Sequence, residues 1–166
     1  TATLSAAALL SSSELFAASH LLKKIGIQFF SLPKLLEKDL PGTLAMLSKM
    51  GYKEVEFYGP YTFSTAAAQQ RWDTVTPSLG FKGCGFFGHT TAEIKSMLKD
   101  NGLKAPSMHT DLDTLQTAMD KLGEAAHLIG AEYVVLPSIP DEKRKTLDDY
   151  KKMLNNAGSF AVWGAG

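Results

Sequence analysis

The stretch DLPGTLAMLSKMGYKEVEFY, residues 39–58, decides how the chain folds. Pro41 stands near a helix start and Gly51 just past its end, and Leu44, Leu47 and Met50 recur between them at helical spacing. From Glu54 to Tyr58 the period changes to two, with Val55 and Phe57 on one face and Glu54 and Glu56 on the other. A helix that ends on glycine and reaches a short strand within three residues is an αβ connection, the repeating joint of an α/β fold.

Working outward, the same joint recurs at Gly102-Leu103-Lys104 and Gly130-Ala131-Glu132. Upstream, IGIQFFS (residues 25–31) is a short β-rich run. Downstream, Thr90 and Glu93 form a capping box ahead of Ile94, Met97 and Leu98, and LKAPSMH then predicts a third strand ending at His109. Leu112, Leu115, Met119, Leu122, Ala126 and Ile129 lie on one stripe and predict a single long helix closed by Gly130. A fourth strand is expected over Tyr133–Leu136, bounded by Pro137 and Pro140, and a last helix carries Leu147, Tyr150 and Leu154 on one face. Residues 60–88 are less regular and read as an insertion, with a helix around Thr65–Val75 followed by Pro77, Gly80, Gly83, Gly85 and Gly88. Four β-α units in strict alternation imply a parallel sheet with right-handed crossovers, either an open doubly wound sheet or a (β/α) barrel.

Composition bounds the function. The 166 residues (18.0 kDa, 45% hydrophobic, 20% charged) suffice for one packed domain, and 17 Lys+Arg against 17 Asp+Glu leave no broad basic face for nucleic acid or anionic lipid. A lone Cys84 forms no internal disulfide and lacks the second cysteine that most structural zinc sites use. Residues 1–19 are nearly all Ala, Leu and Ser with one charge, Glu14, too short and Ser-rich for a membrane span. They fit the apolar core and small-residue cleavage zone of an export signal whose basic start has been lost, the chain beginning at Thr1, with an Ala-rich helix of the domain as the alternative. The expectation is a periplasmic or exported protein if 1–19 are a signal remnant, and a cytoplasmic one otherwise.

KIGIQFFSLPKLLEKDLPGTLAMLSKMGYKEVEFYG (residues 24–59), GHTTAEIKSMLKDNGLKAPSMH (88–109) and LGEAAHLIGAEYVVLP (122–137) together resemble the sugar phosphate isomerase/epimerase family, whose fold is the xylose isomerase-like TIM barrel. The resemblance runs from about Lys24 to Asn156. It implies residues 20–158 as the N-terminal half of a TIM barrel, about four β-α units with an open sheet edge, and 159–166 as an atypical tail, since a closed barrel needs eight strands in roughly 250 residues. It also implies a divalent metal (Mn, Mg, Zn or Co) in the intact family, held by Glu, Asp, His and Glu from the last four strands. Those strands have no counterpart here, so no metal ligand is carried over and no cofactor is expected in this chain. The ending GSFAVWGAG then reads as an interrupted frame or fragment.

In such a barrel the active edge is the C-terminal end of the strands. The candidates there are Gln28 and Phe30 on strand one, Glu56 on strand two, His109 on strand three, and Pro137 with Ser138 on strand four. His109 is the foremost: an imidazole there can bond a sugar hydroxyl or shuttle a proton, or simply be a half-buried histidine tied to backbone. Glu56 can orient it or bind a hydroxyl, or stay a solvent-side acid. Gln28 can donate to a sugar oxygen or satisfy backbone, and His89 is placed at the mouth of the site or on an exposed loop. His20 and His127 read as incidental, and Asp111 and Asp113 as helix caps.

The expected function is that of a sugar (phosphate) isomerase/epimerase, a metal-assisted proton transfer on a small-molecule carbohydrate, with little catalysis by this chain alone. Two other readings stay open. One is a noncatalytic carbohydrate-binding or assembly module forming homodimers through exposed strand edges. The other is a nucleotide-binding domain, because GCGFFG (83–88) matches G-x-G-x-x-G and Asp111 follows where a ribose-binding acid would stand.

Overall fold

The computed structural model describes residues 24–158. The leader-like residues 1–19, His20 and the tail 159–166 lie outside the described residues. Four short strands form one parallel sheet in chain order: β1 Gly26–Gln28, β2 Glu54–Phe57, β3 Lys104–His109 and β4 Tyr133–Val135. Parallel neighbours need crossovers, and helices supply them. Helices α1 Pro33–Lys38 and α2 Leu40–Lys49 join β1 to β2, and α3 Ala66–Leu79 and α4 Thr91–Asp100 join β2 to β3. Helices α5 Leu112–Thr117 and α6 Met119–Ile129 join β3 to β4, and α7 Leu147–Gly158 follows β4. The order never reverses, as it must in a doubly wound sheet, so the fold is an arc of a (β/α) barrel with β1 and β4 as its edges among the described residues.

The core lies between the outer face of this sheet and the helices. Val55 and Phe57 of β2 and Met108 of β3 are at most 1% exposed, against Leu44 and Leu47 of α2, Ile94 of α4 and Leu122 of α6. Burying each such side chain contributes about 1.5–3 kcal/mol. Met50, expected on the α2 stripe, lies past the helix end and is exposed. The Thr90–Glu93 capping box is present, and Gly51, Gly102 and Gly130 take the positive φ that ends a helix.

Four expectations are corrected. Strand one stops at Gln28, because Phe29–Ser31 turns into a 3-10 helix, and α1 was not foreseen. The 60–88 segment is no insertion: α3 belongs to the β2-to-β3 crossover and packs against α5. It also runs past Pro77 to Leu79, because the Asp73 carbonyl that Pro77 cannot satisfy accepts from the Thr76 hydroxyl at 3.1 Å. The single helix expected from Leu112 breaks at Ala118 (φ −132°), where Thr117 Oγ1 bonds the Asp113 carbonyl at 2.7 Å and closes α5 on itself. On α7, Leu147 and Tyr150 are exposed. No helix among the described residues is long and apolar enough to cross a membrane.

Candidate functional site

The inner face of the arc is polar. Register pairs Gln28 with Glu56, Glu56 with Ser107, and Ser107 with Tyr133, so these four form one row across the sheet. That row depends on an irregularity between β2 and β3. Glu54 pairs with Lys104, yet Glu56 pairs with Ser107 rather than Pro106. The extra residue resets the alternation of β3: Ala105 and Met108, three apart, both face the helices, while Ser107 and His109 turn inward.

A chain of hydrogen bonds links Gln28, Glu56 and Ser107 of the row through His109. The backbone N–H of Phe30 donates to Gln28 Oε1 at 2.7 Å, which turns the amide nitrogen of Gln28 toward His109 Nδ1 at 3.4 Å. On its other side the ring meets Glu56: His109 Nε2 lies 2.8 Å from Glu56 Oε1. The second oxygen of Glu56 accepts from the Ser107 hydroxyl. The network assigns the neutral ring its proton on Nε2, leaving Nδ1 as an acceptor held only by a long contact. Both side chains keep about a fifth of their surface exposed, His109 21% and Glu56 23%, so the ring remains reachable.

Gln28, Phe30 and His109 open on one cavity of about 490 Å³ at the C-terminal edge of the strands, which Pro137 also lines. Glu56 stands behind His109 and Ser107 and does not line it. Tyr58, Trp72 and Phe30 form an aromatic wall, with ring centroids 5.2 Å apart for Phe30–Tyr58 and 5.9 Å for Tyr58–Trp72. Tyr58 is pinned by donating to the Gly83 carbonyl at 2.7 Å, and burial holds its hydroxyl above the ordinary tyrosine range. Arg71 of α3 and Asp111 complete the rim.

Several of these residues were not singled out by sequence reasoning as parts of a site. Ser107 was signalled by its spacing of two from His109, Tyr58 by following strand two. Arg71 and Trp72 carried no signal, because they come from the segment read as an insertion. Asp111 caps α5 as expected, accepting from Thr114 N–H at 3.0 Å, and also stands 3.5 Å from Arg71.

His89 is placed elsewhere. It lines a second hollow of about 340 Å³ with Glu37, Lys82 and Cys84, 3.9 Å from Glu93. Burial, then the charges of Asp73 and Glu37, push the Cys84 thiol up to about 11, so it is no nucleophile at neutral pH. The glycines of GCGFFG follow helix α3 through a loop rather than a strand, which removes the geometry a dinucleotide site needs. Gly85 serves close packing instead: a Cβ there would stand 2.8 Å from the Pro60 carbonyl oxygen.

Among the described residues no group of three His, Cys, Asp or Glu converges as a metal site. The two nearest donors, Glu56 and His109, bond each other through Oε1 and Nε2, and the second Glu56 oxygen is taken by Ser107. The donor set of the described residues therefore does not fit a divalent ion.

No protein-family model matches the chain, and no curated protein matches it. Solved structures do. A sugar phosphate isomerase/epimerase from Parabacteroides distasonis ATCC 8503 aligns at 25% identity and TM-score 0.54, over 84% of this chain and 47% of its own. A second from the same organism, carrying the same description, aligns at 20% identity and TM-score 0.53, over 84% of this chain and 50% of its own. The resemblance read from the sequence holds in three dimensions, and the fold is a partial TIM barrel. The chain spans about half the length of these structures.

Proposed function

We propose that this chain forms the sugar-binding and proton-handling wall of a sugar isomerase/epimerase-like site. The observation that carries the reading is the chain Phe30 N–H, Gln28, His109, Glu56, Ser107, set at the C-terminal ends of three parallel strands and opening on an aromatic-walled cavity. Isomerisation or epimerisation of a sugar moves a proton at a carbon beside a carbonyl or hydroxyl. A substrate hydroxyl that displaces the 3.4 Å contact from Gln28 meets His109 Nδ1, whose lone pair accepts its proton. The charge that develops on the ring is then stabilised at Nε2 by Glu56. Gln28, freed from the ring, donates to a neighbouring sugar oxygen.

The described strands wall the cavity on one side, so we expect sugar binding with little turnover by this chain alone. The test is ligand-observed NMR of the 166-residue chain with a panel of ketoses and ketose phosphates. Saturable contact of one sugar with the chain, lost in His109→Ala, is the expected result. No contact by any sugar, or contact indifferent to His109→Ala, overturns it. Rapid turnover of a sugar by the purified chain would overturn the expectation of low activity.

A second reading, a noncatalytic assembly module, is favoured by one observation: edge strand β4 exposes Tyr133 (64%) and Val134 (36%). Sedimentation equilibrium separates the two, since a dimer indifferent to sugar supports assembly.

A further inference from the structure

The three rings that wall the cavity share one footing outside it. Phe81, buried just past the end of α3, packs edge-on to Phe30 at 5.7 Å and lies 5.9 Å from Trp72. The next two residues receive the polar ends of the other rings: Trp72 Nε1–H donates to the Lys82 carbonyl at 2.8 Å, and the Tyr58 hydroxyl donates to the Gly83 carbonyl at 2.7 Å. Burial keeps Tyr58 un-ionised, so its hydroxyl stays a donor. An indole or phenol with its one donor engaged is oriented by wherever that acceptor stands, so the backbone of residues 81–83 sets the wall.

What holds that backbone lies on its far side. The N–H groups of Lys82 and Gly83 both donate to Glu37 Oε1 of α1, each at 3.0 Å. Two successive N–H groups converging on one anionic oxygen make charge-assisted bonds, stronger than neutral ones. All four backbone polar groups of Lys82 and Gly83 thus meet side chains, two from the wall and the same Glu37 oxygen twice. Gly83 lets α1 approach this closely, since a Cβ there would stand 3.0 Å from Glu37 Cβ and 2.8 Å from Phe87 Cδ1. Glu37 itself is exposed and lines the second hollow, not the cavity. We infer that Glu37 is a positioning residue for the cavity: through the Lys82–Gly83 backbone it fixes the orientation of Tyr58 and Trp72, and with it the aromatic surface offered to a ligand. The consequence for a ligand rests on the carbohydrate reading above; the consequence for Trp72 does not.

The experiment is NMR hydrogen exchange at the Trp72 indole N–H of the full chain, told apart from Trp163 by its persistence in Trp163→Phe. Gly85 N–H also donates to the Tyr58 carbonyl at 2.8 Å, so the loop stays attached when Glu37 is changed. In Glu37→Ala the indole is expected to exchange at least about ten-fold faster than in the parent. Glu37→Gln keeps a carbonyl acceptor at the same reach and is expected to stay within about three-fold of the parent. Glu37→Asp keeps the charge on a side chain one methylene shorter and should resemble Glu37→Ala. Unchanged exchange in Glu37→Ala overturns the inference, and so does a Glu37→Asp that matches the parent while Glu37→Gln does not, because charge and not reach would then be acting. Should Glu37→Ala fail to fold, the contrast between the Gln and Asp variants decides. The panel of ketoses and ketose phosphates gives the second readout: a sugar that contacts the parent is expected to bind Glu37→Ala at least about five-fold more weakly. Equal affinity overturns the role of Glu37 in shaping the cavity. Contact by no sugar with the parent overturns the carbohydrate reading, and the indole exchange then decides alone on Glu37.

Discussion

Glu56 and His109 meet across adjacent strands, with Oε1 of the one 2.8 Å from Nε2 of the other, so the carboxylate dictates which nitrogen of the ring carries the proton. In Glu56→Gln that instruction is lost, because an amide can donate or accept at the same place. Nitrogen-15 NMR of the parent is expected to show neutral His109 with its proton on Nε2, and Glu56→Gln a mixture of tautomers. A parent ring protonated on Nδ1 would contradict the hydrogen-bond chain. His109→Ala should cost about 1 kcal/mol in urea unfolding, a modest loss because water reaches the orphaned carboxylate.

Tyr61 is 1% exposed, and its hydroxyl is the one buried side-chain polar atom among the described residues without a hydrogen-bond partner. Burial first, and the Glu56 carboxylate second, hold that hydroxyl well above the ordinary tyrosine range, so it is un-ionised at any working pH. Removing an unsatisfied hydroxyl while keeping the ring, stacked on Phe63 at 5.2 Å, relieves a desolvation cost. Tyr61→Phe is expected to raise stability by about 1 kcal/mol, read as a higher urea midpoint at unchanged slope.

Gly85 and Gly102 have nearly the same positive φ, +59° and +62°, but different surroundings. A Cβ at Gly85 would lie 2.8 Å from the Pro60 carbonyl oxygen and 3.0 Å from Tyr61 Cα, whereas at Gly102 nothing stands within 4 Å. Gly102→Ala should therefore cost only the conformational strain, about 1 kcal/mol. Gly85→Ala adds a backbone collision and should cost about 2–3 kcal/mol. Equal thermal shifts for the two variants would refute the packing role assigned to Gly85.

At the start of α4, the Thr90 backbone N–H, then the Thr90 hydroxyl, hold the Glu93 carboxyl below the ordinary glutamate range. A carboxylate with a lowered folded value stabilises the native state above its unfolded value and loses that contribution as pH falls through the folded one. The capping of α4 is therefore expected to weaken on acidification below the ordinary glutamate range, followed by amide exchange over Thr91–Ile94. In Thr90→Val, carbon-13 titration of the Glu93 carboxyl should move part of the way back toward its ordinary value.

The alternation of helix and strand was legible because local chemistry enforces it: Thr90 with Glu93, glycines at helix ends, and Val55 with Phe57 on one face are short-range signals. Gln28, Glu56 and His109 were likewise visible as polar groups at strand ends. What could not be read depends on register and crossover. Nothing in KAPSMH announces that the strand gains a residue against β2 near Pro106, although Ser107 and His109 face inward only because of it. Arg71 and Trp72 were hidden because residues 60–88 read as an insertion, so the helix expected over Thr65–Val75 was not set beside strands one and three; its run past Pro77 rests on the Thr76 bond to Asp73, a side-chain solution that periodicity does not reveal.

The slipped register of β3 has a consequence for how this segment tolerates change. Point substitutions between Ala105 and His109 leave the pleat in phase, so their effects stay local. Losing or gaining a single codon there would rotate the remainder of the strand by half a turn, presenting Met108 to the ligand and burying the imidazole under α6. Length, more than spelling, is what this strand must conserve.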